Sequence, residues 1–125
     1  MAATSPKVTD AELAILKLLW DRDALTAREI REALYPEGTP SDHATVQKLL
    51  QRLEAKGAVA RDRSAFAHVF RASLSREALA GQQLEFLADK LTDGSLVPFI
   101  MHAVGSRKLS LQELDDIRSL FERKK

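Results

Sequence analysis

The chain has no cysteine among its 125 residues, which excludes disulfides and any thiolate metal site. Only three histidines occur, scattered at His43, His68 and His102, and none has a metal-ligand partner at helical spacing. No metal, cofactor or catalytic residue is therefore expected. Serine, histidine and aspartate are present, but no nucleophile elbow, phosphate-cradling glycine loop or HExxH motif accompanies them. Asp115 and Asp116 read as the solvated face of a final helix. No run approaches the roughly 18–20 apolar residues needed to span a bilayer, so direct membrane insertion is not expected. The opening MAATSPKVTD has no apolar core and does not read as a secretory signal. A cytoplasmic protein of one domain, or of one domain with a smaller appendage, is what remains.

Charge is balanced in sum, at +1, but not in distribution. Residues 1–42 carry five cations (Lys7, Lys17, Arg22, Arg28, Arg31) against eight anions (Asp10, Glu12, Asp21, Asp23, Glu29, Glu32, Glu37, Asp42), giving −3. Residues 43–71 carry six (Lys48, Arg52, Lys56, Arg61, Arg63, Arg71) against two (Glu54, Asp62), giving +4. Electrostatic footprints for nucleic acid are local, so this segment matters more than the bulk pI of 8.1.

Helix signals are explicit. Thr9-Asp10-Ala11-Glu12 is a capping box, and Leu13, Ile15, Leu16, Leu19 and Trp20 form an apolar stripe behind it. Thr26-Ala27-Arg28-Glu29 opens a second helix that runs to about Leu34. Tyr35 to Pro40 holds two prolines and a glycine and reads as a turn. Ser41 then caps a third helix, over about residues 41–56, whose Val46, Leu49, Leu50 and Leu53 form one buried stripe. Its opposite face holds Ala44, Lys48, Gln51, Arg52 and Ala55, flanked by Thr45 and Gln47, and Gly57 is placed to end it in the left-handed conformation. Ala58–Arg61 and Ala67–Ala72 read as short strands, with Asp62 to Phe66 as the tip between them.

That order predicts a mainly α fold with a small β-wing: a winged helix-turn-helix over residues 8–73. Such a fold points to double-stranded operator DNA as partner. Gln47 can contact adenine, the Thr45 methyl can meet thymine, and Lys48 or Arg52 can reach guanine or phosphate. Ser41, His43, Ala44 and Gln51 complete the candidate face. Arg61 and Arg63 on the wing are candidate phosphate contacts, whereas Asp42 would repel phosphate. A winged-helix protein–protein adaptor is the alternative, and the +4 segment counts against it.

After Ser73 the composition changes. Ser75 caps a helix striped by Ala80, Leu84, Leu87, Ala88 and Leu91; Asp93-Gly94-Ser95 ends it. A short apolar segment from Leu96 to Val104 follows, with Pro98 in its first turn. Ser110-Leu111-Gln112-Glu113 caps a last helix striped by Leu111, Leu114, Ile117, Leu120 and Phe121. Three short helices bury little apolar surface alone, so residues 75–125 are expected to form a homodimer. Leu84, Leu87, Leu91, Leu96, Ile100, Leu111, Leu114, Ile117 and Phe121 are its candidate contacts.

TDAELAILKLLWDRDALTAREIREAL, ATVQKLLQRLEAKGAVARDR, FAHVFRA, GSLVPFI and LSLQELDDIRSLFERK together resemble the BlaI/MecI penicillinase-repressor family, from about Val8 to Phe121. The resemblance implies a homodimeric winged-helix repressor on a palindromic operator, with a C-terminal dimerisation module. In the antibiotic-responsive branch a membrane sensor protease system triggers cleavage inside the C-terminal helices, typically at Asn-Phe. The corresponding position here is Phe99-Ile100, a departure from that pattern. The copper-responsive branch carries a cysteine motif that this chain does not have. Ser41-Asp42-His43-Ala44 also offers no aromatic or basic anchor, so the operator need not be the family's usual one.

Overall fold

A computed structural model describes residues 7–123. The first six residues of the segment read for a secretory signal, and the last two of the region 75–125, lie outside them. Among the described residues there are six helices and one three-stranded antiparallel sheet. The chain divides into two compact units, Met1–Gln82 and Gln83–Lys125.

In the first unit α1 (Asp10–Arg22) begins at the Thr9–Glu12 capping box and buries Ile15, Leu16 and Leu19. After β1 (Ala24–Thr26), the second capping box opens α2 (Ala27–Leu34), which buries Ile30. The third helix, α3 (Pro40–Ala55), starts earlier than the sequence suggests. Its N-cap is Thr39 and not Ser41: the Asp42 N–H donates to Thr39 Oγ1 at 3.1 Å, and the Thr39 N–H to Asp42 Oδ2 at 3.2 Å. Pro40 is therefore the first residue of the helix, not the last of the turn. A proline is harmless there, because its missing N–H would have had no partner in the first turn anyway.

Val46, Leu49, Leu50 and Leu53 of α3 are buried, as their spacing requires, against Ile15, Leu16, Leu19 and Ile30 in one core. Gly57, with φ of +76°, ends α3. Its N–H donates to the Glu54 carbonyl and that of Ala58 to the Leu53 carbonyl, at 3.0 and 2.9 Å, a Schellman motif that only a residue tolerant of positive φ closes cheaply.

The wing consists of β2 (Val59–Asp62) and β3 (Val69–Ala72), and the sequence reading missed its third member, β1. The strand order is β1-β3-β2, with Leu25 opposite Phe70 and Phe70 opposite Arg61. Residues opposite one another share a face, so Leu25, Phe70 and Arg61 form one row on the sheet. Leu25 and Phe70 are buried. The sheet leads into α4 (Arg76–Leu91), where Ser75 Oγ accepts the Ala78 N–H and Leu79 joins the core. Trp20 Nε1–H donates to the Leu74 carbonyl at 2.8 Å, and the Arg76 guanidinium lies 5.1 Å from the Trp20 ring.

In the second unit, Gly94 takes φ of +89° and its N–H donates to the Ala88 carbonyl, closing the end of α4. Helix α5 (Val97–Gly105) carries Pro98 in its first turn, and α6 (Leu111–Arg123) opens at the Ser110–Glu113 capping box. Neither helix has a fully buried residue. No helix among the described residues is long and apolar enough to cross a membrane.

Candidate nucleic-acid interface

The exposed face of α3 follows from its buried one. With Val46, Leu49, Leu50 and Leu53 inward, helical geometry turns Ser41, His43, Ala44, Thr45, Lys48, Gln51 and Arg52 to solvent, with Gln47 half-buried at the margin. The Thr45 hydroxyl donates to the Ser41 carbonyl at 3.0 Å, which commits its proton to the helix. Gln47 Nε2 lies 3.4 Å from His43 Nε2, one turn away. Asp42 is half-buried, and its carboxylate is turned back onto the Thr39 N–H by the capping box, which reduces its repulsion of an approaching phosphate.

The six cations of residues 43–71 divide by partner. Lys56 caps the C-terminus of α3 and reaches the buried carboxylate of Glu12 at 2.5 Å, clamping the end of α3 to the start of α1. Cation and anion each sit at the helix end whose dipole favours them. Burial pushes the Glu12 carboxyl up and is the largest single influence. The hydrogen bonds from Lys56 and from Thr9, with the Lys56 charge, together outweigh it and hold the group below its ordinary value.

Arg61 is likewise engaged. Its Nη2 lies 2.7 Å from Glu54 Oε1, its Nη1 lies 3.5 Å from His68 Nδ1, and its guanidinium stands 4.8 Å from the Phe70 ring. Pairing opposite Phe70 is what turns it under the wing. Arg71 lies 3.4 Å from Asp23, a largely exposed pair worth little. Lys48, Arg52 and Arg63 have no carboxylate partner among the described residues, and all three are exposed.

Arg63 begins the wing tip, which runs from residue 63 to 68. Asp62 Oδ1 accepts both the Ser64 N–H and the Ser64 hydroxyl, at 2.9 and 2.6 Å, and these bonds hold the Asp62 carboxyl below its ordinary value. Between the start of α2, Gln47 of α3 and the wing lies a concavity of about 350 Å³, bordered by Arg28, Phe66, His68 and Phe70.

The candidate residues thus fall into three groups. Seven form the open face of α3 with Gln47 at its margin, Arg63 stands on the wing, and Arg61 braces the wing against α3. Sequence reasoning overlooked Thr39, although Thr39-x-x-Asp42 repeats the capping pattern found at three other helices. It also overlooked β1, whose three residues are too few to show periodicity.

In the second unit, Leu84, Leu87, Leu91, Ile100, Leu111 and Phe121 are exposed, and Leu96, Leu114 and Ile117 are half-buried. Leu84, Phe99, Ile100, Ile117 and Phe121 border an all-apolar groove of about 320 Å³. Phe99 and Ile100 stand in the first turns of α5, where both N–H groups donate to the Leu96 carbonyl at 3.1 Å.

Comparison with known proteins places this architecture. Over 120 residues the chain is 22% identical to the penicillinase repressor of Bacillus licheniformis, covering 96% of this chain and 93% of that protein. The solution structure of the DNA-binding domain of the repressor BlaI superposes with a TM-score of 0.51 at 26% identity, covering 62% of this chain and 93% of that domain. A crystal structure of an S. aureus MepR–DNA complex gives a TM-score of 0.44 at 20% identity, covering 94% of this chain and 77% of that one. The profile of the family described as Penicillinase repressor matches residues 8–123. The chain belongs to that family, and is accordingly a winged-helix DNA-binding repressor, a transcriptional regulator and not an enzyme.

Proposed function

We propose that the protein acts in the cytoplasm as a homodimer on a palindromic operator, and that loss of dimerisation releases the DNA. The observation that carries this reading is the apolar surface of the second unit. Leu111 is 87% exposed, Leu91 69%, Met101 68% and Phe121 65%. Exposed apolar side chains concentrated in one short segment mark a protein contact, and Leu84, Ile100 and Phe121 among them line one groove. A two-fold contact is self-complementary, so one face supplies both sides. Leu84, Leu87, Leu91, Leu96, Ile100, Leu111, Leu114, Ile117 and Phe121 form that seam in this reading. Residues 75–125 are then the dimer module and residues 8–73 the DNA-binding module.

On DNA, the two copies of α3 enter successive major grooves about 34 Å apart, and the bound dimer blocks transcription by occluding the promoter. Thr45 and Gln47 face base edges, flanked by Ser41, His43, Ala44 and Gln51. Lys48, Arg52 and Arg63 take phosphates. Arg61, already paired with Glu54, holds the wing at a fixed angle to α3 instead of contacting phosphate. The Bacillus licheniformis relative is a penicillinase repressor, which supports repression as the outcome.

Release follows from anything that opens the seam. A membrane sensor protease system acting at Phe99–Ile100 would have to unwind the start of α5 first, because proteases bind their substrates extended. The test is light scattering combined with selection of genomic DNA fragments by the purified chain. Twice the 13.9 kDa chain mass and a short inverted repeat upstream of a few genes are expected. A monomer that enriches single, unpaired half-sites would refute the dimer.

A further inference from the structure

The wing tip carries an aromatic ring with nothing over it. Phe66 is fully exposed, whereas Phe70 is buried and Phe86 and Phe99 are half-buried. Phe121, the other exposed phenylalanine, lies in the apolar seam already assigned. Phe66 belongs to no such cluster. Its sequence neighbours are Ala65 and Ala67, too small to shield a ring, and the base of the bend is pinned by the two hydrogen bonds from Ser64 to Asp62. A fully solvated phenylalanine at a turn tip is a side chain that soluble surfaces carry sparingly beyond what function needs.

The surroundings of the ring indicate what covers it. Phe66 borders the same concavity as Gln47 of α3 and Arg28 of α2, so it stands on the side of the wing that faces the DNA-reading helix. Its charged neighbour in the tip, Arg63, has no carboxylate partner among the described residues. A polyanion is drawn to this surface, and the apolar parts of a DNA duplex are the thymine methyls of the major groove and the deoxyribose walls and base-step edges of the minor groove. Apolar side chains recur as wedges at such steps.

We infer that Phe66 is a minor-groove wedge. With α3 in the major groove, the wing tip meets the adjacent minor groove, where the ring packs on deoxyribose and partly unstacks one base step. The inference rests on the DNA-binding reading above and adds a specificity determinant to it. A ring cannot hydrogen-bond to bases, so it selects by deformability: the operator carries a flexible pyrimidine–purine step flanking each half-site, at a position the protein reads only by bending it.

The test uses the full chain and a duplex that the wild-type protein selects from a random pool, with 2-aminopurine placed at the flanking step. Wild-type protein is expected to raise the 2-aminopurine fluorescence. Phe66→Ala is expected to bind about tenfold more weakly, to lose the fluorescence rise, and to keep the wild-type salt dependence, since no cation is removed. Phe66→Leu retains an apolar wedge and stays within about threefold of wild type. Equal thermal stability of all three proteins is expected from the exposure of the ring. If Phe66→Ala matches wild type in affinity and fluorescence while Lys48→Ala binds weakly, the wedge is refuted and the DNA reading stands. If the wild-type chain selects no duplex at all, both fall. If Phe66→Ala changes the mass of the assembly and leaves DNA affinity unaltered, the ring is a protein contact and the wedge is refuted.

Discussion

Replacing Lys48 by glutamine removes one of the three exposed cations of residues 43–71, with Arg52 and Arg63, that have no carboxylate partner among the described residues. Lys56 and Arg61 are held by Glu12 and Glu54 and so release few counterions from DNA, and Arg71, in its weak exposed pair with Asp23, is left out of the count. Three phosphate contacts per protomer make six per dimer, and the logarithm of affinity should then fall against the logarithm of salt concentration with a slope of about −5. Between about 50 and 200 mM salt, that slope is a loss of roughly a thousandfold. Lys48→Gln removes two contacts per dimer, brings the slope to about −3.5, and reduces the loss over the same range to roughly a hundredfold. Fluorescence anisotropy of a labelled operator duplex, titrated at four salt concentrations, measures both slopes. Arg61→Gln is the internal control: it weakens the wing's support but should leave the slope near wild type. A Lys48→Gln slope equal to wild type, or an Arg61→Gln slope reduced as much as that of Lys48→Gln, would refute the division of the cations by their ion pairs.

Three further outcomes are expected. Lys56→Met deprives a fully buried Glu12 of its cation and should cost about 2 kcal/mol by denaturant unfolding at neutral pH. The Glu12 carboxyl is held below 4.5, so its contribution is complete above that pH and is lost as pH falls through the lower native-state value. The gap between wild type and Lys56→Met should therefore close in acid, and a gap constant from pH 7 to below 4.5 would contradict the clamp. Leu50→Ala, at a completely buried position of α3, should lose about 3 kcal/mol, checked by the same unfolding curves. Leu114→Asp places a charge in the proposed dimer seam and should yield a monomer by light scattering with much weaker operator binding; unchanged mass and affinity would remove α6 from the seam.

Features set by local chemistry were legible in the sequence. The capping boxes at Thr9, Thr26 and Ser110, the left-handed Gly57 and the buried stripe of α3 each follow from a few adjacent residues, and each is where that chemistry requires. The boundary of α3 was misread because Pro40 was weighed as a helix breaker, when its rank within the helix decides whether a proline breaks anything. Cross-strand register was not legible. Arg61 and Arg63 differ by two residues and look equivalent in sequence. Only the pairing of Arg61 opposite Phe70 shows that one is turned under the wing towards Glu54 while the other lies past the end of β2. The exposure of Phe66 is of the same kind, since it depends on which residues the bend leaves uncovered.

The small number of uncommitted cations on α3 and the wing bears on how repression would be reversed. A single protomer with three phosphate contacts and a handful of base contacts lies near the non-specific range, a Kd of about 10⁻⁴–10⁻⁶ M, whereas operator control needs about 10⁻⁸ M or tighter. In the proposed dimer, tethering supplies the difference: once one half-site is bound, the second protomer meets its own at an effective concentration in the millimolar range. The DNA face then needs no switch of its own. An event that opens the second unit removes the avidity and drops both halves to the weak regime together. On that proposal control lies in α5 and α6, neither of which has a buried residue to resist a change of partner. Operator occupancy should consequently track dimer concentration steeply. Halving total protein near the dimer dissociation constant should reduce occupancy more than halving it far above, a comparison that titration at two fixed operator concentrations makes directly.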